Sequence, residues 1–192
     1  MTHGLHRALA PCAALALALT LAACGGGEDK VEAADAPTPS SRTLADALDG
    51  GRDLSTLDRV LENAGLSTVL GGTGPYTVLG PLDAAFAAGS ARTDFTDETQ
   101  RAPAAALLKA HILPGALTRA DILAAIERGG AEGAQMRTMA DSLITFTLDG
   151  ETIVVSSADG VRARLTGDET SASNGVLHPI DGLLVKAATP VV

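Results

Sequence analysis

The chain has 192 residues, of which 46% are hydrophobic and only 2% aromatic, and its formal charge is -9. This length suits one domain with additional segments, and the core must be built from Ala, Leu, Val and Ile because there is no Trp and one Tyr. An acidic surface repels phosphates, and few aromatic rings are present on which bases could stack, so we expect no nucleic-acid partner.

Residues 1–23 have the features of a signal peptide. The apolar stretch at residues 8–23 follows a weakly basic start, is interrupted by Pro11, and is short for a membrane-spanning helix. It ends in "LAAC", which resembles the lipobox of bacterial lipoproteins. That resemblance implies cleavage before Cys24 and acylation of Cys24. An ordinary secretory signal with an incidental cysteine is the alternative.

Residues 24–42 contain "CGGGEDKVEAADAPTPSS", whose composition indicates a flexible polar tether. Cys12 leaves with the signal and Cys24 carries the lipid, so the folded domain has no cysteine for a disulfide, a thiol nucleophile or a metal. Gly25 rather than Asp follows the lipidated position, which resembles lipoproteins sorted to the outer membrane. We therefore expect an exported chain that is held at the cell envelope by its lipid alone, on the outer membrane if the host has two.

Helical patterns come first in the domain. One short apolar stripe stops at Gly50 and Gly51. Ser55 followed by Asp58 indicates a capping box at the start of a second helix, which Gly65 ends. The segment "GGTGPYTVLGP" then predicts a turn and a short strand at residues 76–79.

The pattern remains helical beyond this strand. Asp83 is placed to cap the small helix "AAFAA", and a third helical region runs to about residue 112, with Pro103 near its first turn. Thr118 and Asp121 indicate another capped helix, which two glycines end.

The last third of the domain alternates between apolar and polar residues. In "LITFTLDGETIVVSSADGVRARL" the alternation is broken at Asp149 and Gly150 and again at Asp159 and Gly160, which predicts an antiparallel meander with one buried face. A last strand follows at residues 176–185. Helices followed by strands favour an α+β domain.

Three segments resemble the fasciclin domain family: "GPYTVLGPLDAAFAA" (74–88), "LLKAHILPGALTRADI" (107–122) and "SNGVLHPIDGLLV" (173–185). Their order and spacing both agree, and the resemblance covers residues 43–186, leaving 187–192 as a C-terminal tail. It implies a compact single domain, with N-terminal helices packed on a wedge of strands and the meander at its C-terminal end. It also implies adhesion or binding to protein, matrix or cell-surface partners, with no catalytic activity or cofactor common to the family.

The chain departs from the family at several positions. Gly80 and Leu82 stand near the cap where a small residue and Thr or Ser are usual. Ala110 precedes the histidine at the helix end, where the family often has Tyr. Pro179 replaces a β-branched residue, and Val185 a closing proline. These departures weaken the transfer of a Tyr-His adhesion motif known from animal members.

Loops on a rigid scaffold often carry function, so we place the candidate binding surface around the three family segments. The candidate binding residues there are Tyr76, Asp83, His111, Asn174, His178 and Asp181. The partner is expected to be a protein or a cell-surface molecule, and the domain is expected to be a monomer.

His178 and Asp181 also suggest catalysis, but strand alternation places their side chains on opposite faces. A bulge would allow them to meet, and Pro179, which lacks an amide donor, indicates an edge or an irregularity. We expect instead that backbone groups satisfy His178 and that Asp181 bonds to amides near Gly182.

His111 lies near a predicted helix C-terminus, where a partly protonated imidazole can donate to the last free carbonyls. No close histidine spacing indicates a metal, and there is no Gly-x-Ser-x-Gly elbow. The acidic cluster from Asp94 to Glu98 lacks EF-hand spacing. We expect neither a metal nor an enzyme. A small-ligand-binding or hydrolytic envelope protein using His111 and His178 is the alternative, and a purely structural envelope component is a third possibility.

Overall fold

The computed structural model describes residues 40–89 and 93–185. The predicted signal peptide (1–23), lipidated Cys24, nearly all of the tether (24–42) and the tail (187–192) lie outside these residues. The described part is an α+β domain, as predicted, with helices concentrated in its first half and two four-stranded sheets.

The first half of the described part contains five helices: α1 (Leu44–Asp49), α2 (Ser55–Ala64), α3 (Ser67–Gly71), α4 (Asp83–Gly89) and α5 (Arg101–Ala110). The last of these follows a short 3-10 turn at Glu98–Gln100. A capping box between Thr43 and Asp46 starts α1. Gly65 adopts a left-handed φ of 69° just after α2 and ends that helix, as the sequence predicts.

The start of α2 differs from the prediction. Ser55 is the first helical residue and not the cap, so the predicted capping box with Asp58 is wrong. One free amide and one hydroxyl of the first turn donate to a distant side chain: Asp83 Oδ1 accepts from Thr56 N at 2.7 Å, and Asp83 Oδ2 accepts from Ser55 Oγ at 2.9 Å. Asp83 itself begins α4. The side chain predicted to cap its own helix therefore caps α2.

The first sheet contains β1 (Tyr76–Pro81), β2 (Ile112–Pro114), β7 (Thr170–Ala172) and β8 (Gly175–Ile180) in the order β2-β1-β8-β7. The central strands β1 and β8 run parallel, with Tyr76 opposite Gly175, and each pairs antiparallel with its outer neighbour. The predicted last strand, 176–185, ends early at Ile180 and belongs to this sheet rather than to the meander.

Pro179 does not mark an edge, because β8 is an interior strand with Gly80 of β1 opposite Pro179. Its carbonyl accepts from Thr166 N at 2.8 Å on the side of β7. The amide that proline lacks would point to that same side. There β7 extends no further than Thr170, opposite Leu177, so no β7 carbonyl is left without a donor. The missing donor is therefore tolerated inside the sheet.

The second sheet is the predicted meander extended by one strand. It contains β3 (Ala134–Arg137), β4 (Leu143–Asp149), β5 (Thr152–Ser157) and β6 (Arg162–Arg164), paired antiparallel in that order. The helix α6 (Arg119–Gly129) begins with the predicted capping box of Thr118 and Asp121. The two sheets meet where Ile180 bridges to Leu165.

The core formed by the described residues has two apolar clusters. One lies between the N-terminal helices and the first sheet and includes Leu57, Leu61 and Leu177. The other lies between α6 and the inner face of the second sheet and includes Ile122 and Phe146. Aliphatic side chains dominate both, as the composition predicts.

Candidate functional site

The three segments singled out in the sequence come together in space. They supply β1, β2 and β8, which are neighbours in the first sheet. The six candidate binding residues therefore lie on or beside one sheet. Most of them form hydrogen bonds or packing contacts within the domain.

His111 is the residue that follows α5, and its side chain is fully buried. Nδ1 lies 2.8 Å from the carbonyl of Leu107, and Nε2 lies 2.9 Å from the amide of Leu184. Because an amide can only donate, Nε2 is the acceptor and Nδ1–H donates to Leu107. Burial lowers the pKa of His111 to about 4, against the opposing effect of the Leu107 bond. The predicted bond to a helix carbonyl is confirmed, whereas the predicted partial protonation is wrong.

His178 is also fully buried, in the middle of β8. Its Nε2 lies 2.8 Å from the carbonyl of Leu117 and therefore carries the proton. Among the described residues, Nδ1 has no hydrogen-bond partner, and it lies 3.7 Å from Glu169 Oε2. Burial lowers the pKa of His178, while the Leu117 bond and the Glu169 carboxylate oppose that shift. A backbone partner for His178 is as predicted.

Asp181 is separate from His178. It is exposed, its Oδ1 accepts from Arg164 N at 2.6 Å, and its own amide donates to Arg164 O at 3.1 Å. The split of the pair that strand alternation predicts is confirmed. The expected amide partner near Gly182 is wrong, because the partner lies on β6 of the other sheet.

Asn174 connects three elements through hydrogen bonds. Its Oδ1 accepts from Leu44 N at 2.8 Å, and its Nδ2 donates to the carbonyls of Leu70 and Gly72, each at 2.7 Å. Its carbonyl also accepts from Tyr76 N at 3.0 Å. The side chain is 9% exposed. Asn174 thus joins the start of α1, the end of α3 and the start of β1.

Tyr76 and Asp83 are half-buried. Tyr76 packs against the cluster beneath the helices. Burial pushes the pKa of Asp83 upward, but the bonds from Thr56 and Ser55 outweigh it and the pKa is lowered. Asp83 is therefore an anion at the positive end of α2.

Sequence reasoning missed Thr77, which organises the same region. Its buried hydroxyl donates to Gly115 O at 2.7 Å and accepts from Leu117 N at 2.8 Å. It fixes the loop whose Leu117 carbonyl receives His178. The partners are 38 and 40 positions away along the chain, so no local pattern could have indicated them.

Within residues 40–89 and 93–185, no three His, Cys, Asp or Glu side chains are grouped as metal ligands. None of the helices in these residues is both long and apolar enough to cross a membrane.

Comparison with known proteins gives consistent matches. A model of the fasciclin domain matches residues 52–186. Protein sll1483 of Synechocystis sp. is 27% identical over 160 residues, covering 82% of this chain and 81% of that protein. Human stabilin-1 is 27% identical over 151 residues, which are 78% of this chain but 6% of stabilin-1.

One solved structure, a FAS1 domain pair from the insect cell adhesion molecule Fasciclin I, is similar with a TM-score of 0.66 and 16% sequence identity. The match covers 77% of this chain and 52% of that chain. At this level of sequence identity, the structural similarity establishes that the two proteins share a fold.

Proposed function

Because the chain belongs to the fasciclin domain family, we propose that it is an adhesion and binding module of the cell envelope, anchored through lipidated Cys24. It binds protein or cell-surface partners and is not an enzyme. The observation that carries the proposal is the family match over residues 52–186, together with the likeness to a domain pair from a cell adhesion molecule.

The state of the two imidazoles favours binding over the hydrolytic alternative. His111 and His178 are each 0% exposed, and each bonds to main-chain groups. A general base must reach the proton that it removes, directly or through one water. Neither ring is presented to a substrate in this fold, whereas a rigid sheet that orders its surrounding loops suits a binding module.

The lipobox-like sequence before Cys24 supports the anchor. Three acyl chains hold a protein stably to a bilayer, where one chain is marginal. The polar tether that follows separates the domain from the lipid headgroups. We place the protein on the outer membrane where the host has two membranes.

The anchor is tested by Cys24→Ser, with Cys12→Ser as the matched control because that cysteine lies inside the cleaved signal. Cells expressing Cys24→Ser are expected to release the protein from the membrane fraction, and Cys12→Ser is expected to leave it there. Membrane retention of Cys24→Ser contradicts the anchor.

Adhesion is tested in cells that lack the gene. Loss of the protein is expected to reduce attachment of cells to one another or to a coated surface, and the wild-type chain is expected to restore it. Cys24→Ser is expected to restore nothing, because the released domain is not held at the surface. Attachment that is unchanged by the deletion would contradict the proposed function.

A further inference from the structure

The buried ring of His178 has one nitrogen that the described residues do not satisfy. Nε2 donates to the carbonyl of Leu117, whereas Nδ1 has no hydrogen-bond partner among these residues. Oε2 of the Glu169 carboxylate lies 3.7 Å from Nδ1. In the neutral ring Nδ1 carries only a lone pair, so two acceptors are neighbours with no hydrogen to share. A buried acceptor without a donor costs free energy, and a proton on Nδ1 would remove that cost.

The Glu169 side chain is held in place by contacts that do not involve the ring. Its Oε2 accepts from the amide of Arg119 at 2.5 Å, and only 18% of the side chain is exposed. Arg119 is the first residue of α6, so the carboxylate lies at the positive end of that helix. Nη2 of Arg119 also donates to the carbonyl of Gly167 at 2.8 Å. The carboxylate is therefore positioned beside His178 in advance.

Few other charged groups reach the ring. The described strands of the first sheet, β8 included, contain no Asp, Glu, Lys or Arg. At the start of α6, the positive charge of Arg119 acts against a proton on His178, and the carboxylate of Asp121 is bonded to the residue that caps the helix. Asp168, in the segment before β7, is exposed. Among the described residues, Glu169 is the carboxylate within 4.0 Å of the ring.

We propose that His178 and Glu169 form a pH-sensitive contact, in which a proton taken up from solvent at Nδ1 in mild acid is held between the ring and the carboxylate. Nδ1–H then donates to Glu169 Oε2, while Nε2–H keeps its bond to Leu117 O. The two atoms must approach by only about 1 Å to reach the distance of a charge-assisted hydrogen bond. The partly exposed carboxylate gives the proton a path from solvent to the buried nitrogen.

The pH range of the contact follows from opposing effects on the ring. Burial lowers the pKa of His178, and the Leu117 bond and the Glu169 carboxylate oppose that shift. The proton is therefore taken up below the ordinary pKa of 6.5. His111 is equally buried but has no carboxylate beside it, and its pKa is lowered to about 4.

The contact joins β8 to two surface segments. Glu169 belongs to the segment before β7, and Leu117 lies in the loop between β2 and α6. A protonated ring donates to both at once, so acid holds residues 115–119 and 166–169 more firmly against the strand. Both segments include exposed positions, so a partner that binds there meets a surface that depends on pH. The contact itself does not depend on the proposed adhesion function.

The test is a pH titration of the full-length protein, labelled with 15N and followed by the imidazole nitrogen signals, which distinguish protonated from unprotonated Nδ1. Nδ1 of His178 is expected to gain a proton in the folded domain, at a higher pH than that at which His111 becomes charged. Glu169→Gln is expected to lower the pH of this change by about one unit, because the amide carries no charge. His178→Asn identifies the signals that belong to this ring.

The matched control is Asp168→Asn, which removes the same charge at the neighbouring exposed position. It is expected to leave the titration of His178 unchanged. Amide hydrogen exchange gives a second readout. Residues 115–119 are expected to exchange faster in Glu169→Gln than in the wild type, and this ratio is expected to be about tenfold larger at pH 5 than at pH 7.

Four results would each overturn the pH-sensitive contact: a His178 ring that stays neutral until the domain unfolds, a titration in Glu169→Gln equal to that of the wild type, equal shifts in Glu169→Gln and Asp168→Asn, or an exchange ratio that is the same at both pH values. These measurements need no partner and no cells. Their failure is therefore distinguishable from failure of the proposed adhesion function.

Discussion

Acid should destabilise this domain through His111 before its carboxylates titrate. The ring is fully buried and its pKa in the fold is about 4, against 6.5 when exposed. Below pH 6.5 the unfolded chain takes up a proton that the folded chain refuses. The stability contributed by the neutral ring is therefore complete above pH 6.5 and is lost as the pH falls toward 4.

The size of the effect follows from these two pKa values. Linkage gives a loss in the free energy of unfolding of about 2 kcal/mol at pH 5 relative to pH 8, with a limiting slope of about 1.4 kcal/mol per pH unit. Carboxylates with lowered pKa, such as Asp83 and Asp121, act in the same direction but around and below their ordinary value of 3.8. Burial raises the pKa of Asp58, whose protonation opposes this loss at higher pH. Asp58 is present in the wild type and in a histidine variant alike, so the difference between the two proteins isolates the histidine.

The assay is urea unfolding of the wild type and His111→Asn at several pH values in this interval. Asn cannot reach both Leu107 O and Leu184 N, so the variant is expected to be less stable at pH 8. Its loss of stability on going to pH 5 is expected to be smaller than that of the wild type by about 2 kcal/mol. His178→Asn gives the separate share of the other buried ring, whose pKa is also lowered. An unchanged pH dependence in His111→Asn would refute the reasoning.

Three further substitutions test the contacts around the first sheet, each by urea unfolding at pH 7. Asn174→Ala removes three hydrogen bonds and is expected to lower the free energy of unfolding by about 3 kcal/mol. A loss below about 1 kcal/mol would contradict the role of Asn174 in connecting the three elements. Asp83→Ala is expected to lower the free energy of unfolding by about 1–2 kcal/mol, and Asp83→Asn is expected to lower it less, because the amide oxygen can still accept from Thr56 N. Equal losses in the two variants would argue against capping. Gly175→Ala places a Cβ against the carbonyl oxygen of Tyr76, and it is expected to unfold the domain or to lower the free energy of unfolding by several kcal/mol. A stable variant would disprove this close approach.

Sequence patterns correctly predicted the elements that depend on interactions between residues close together in the chain. Thr118 and Asp121 are three positions apart and form their capping box without help from the rest of the chain. The same pattern at Ser55 failed because Asp83, 28 positions away, occupies the helix end. Alternation likewise predicted the meander, in which each strand pairs with the next.

Short and distant pairings escaped prediction. The three-residue strands β2 and β7 contain too few residues to show alternation. The place of β8 in the first sheet depends on a partner at the other end of the domain. Sequence could identify His111 and His178 as candidates, but their protonation depends on Leu184 and Leu117, which only the fold brings near.

The parallel pair at the centre of the first sheet also sets the order in which the domain can form. Tyr76 is paired with Gly175, 99 positions later, so β1 has no central partner until nearly the whole domain has been synthesised. Contacts between such distant residues slow folding, because a long loop must close before they stabilise anything. For a chain that we propose is exported, this late pairing would favour translocation before the first sheet closes. Folding is then completed when the last strand arrives.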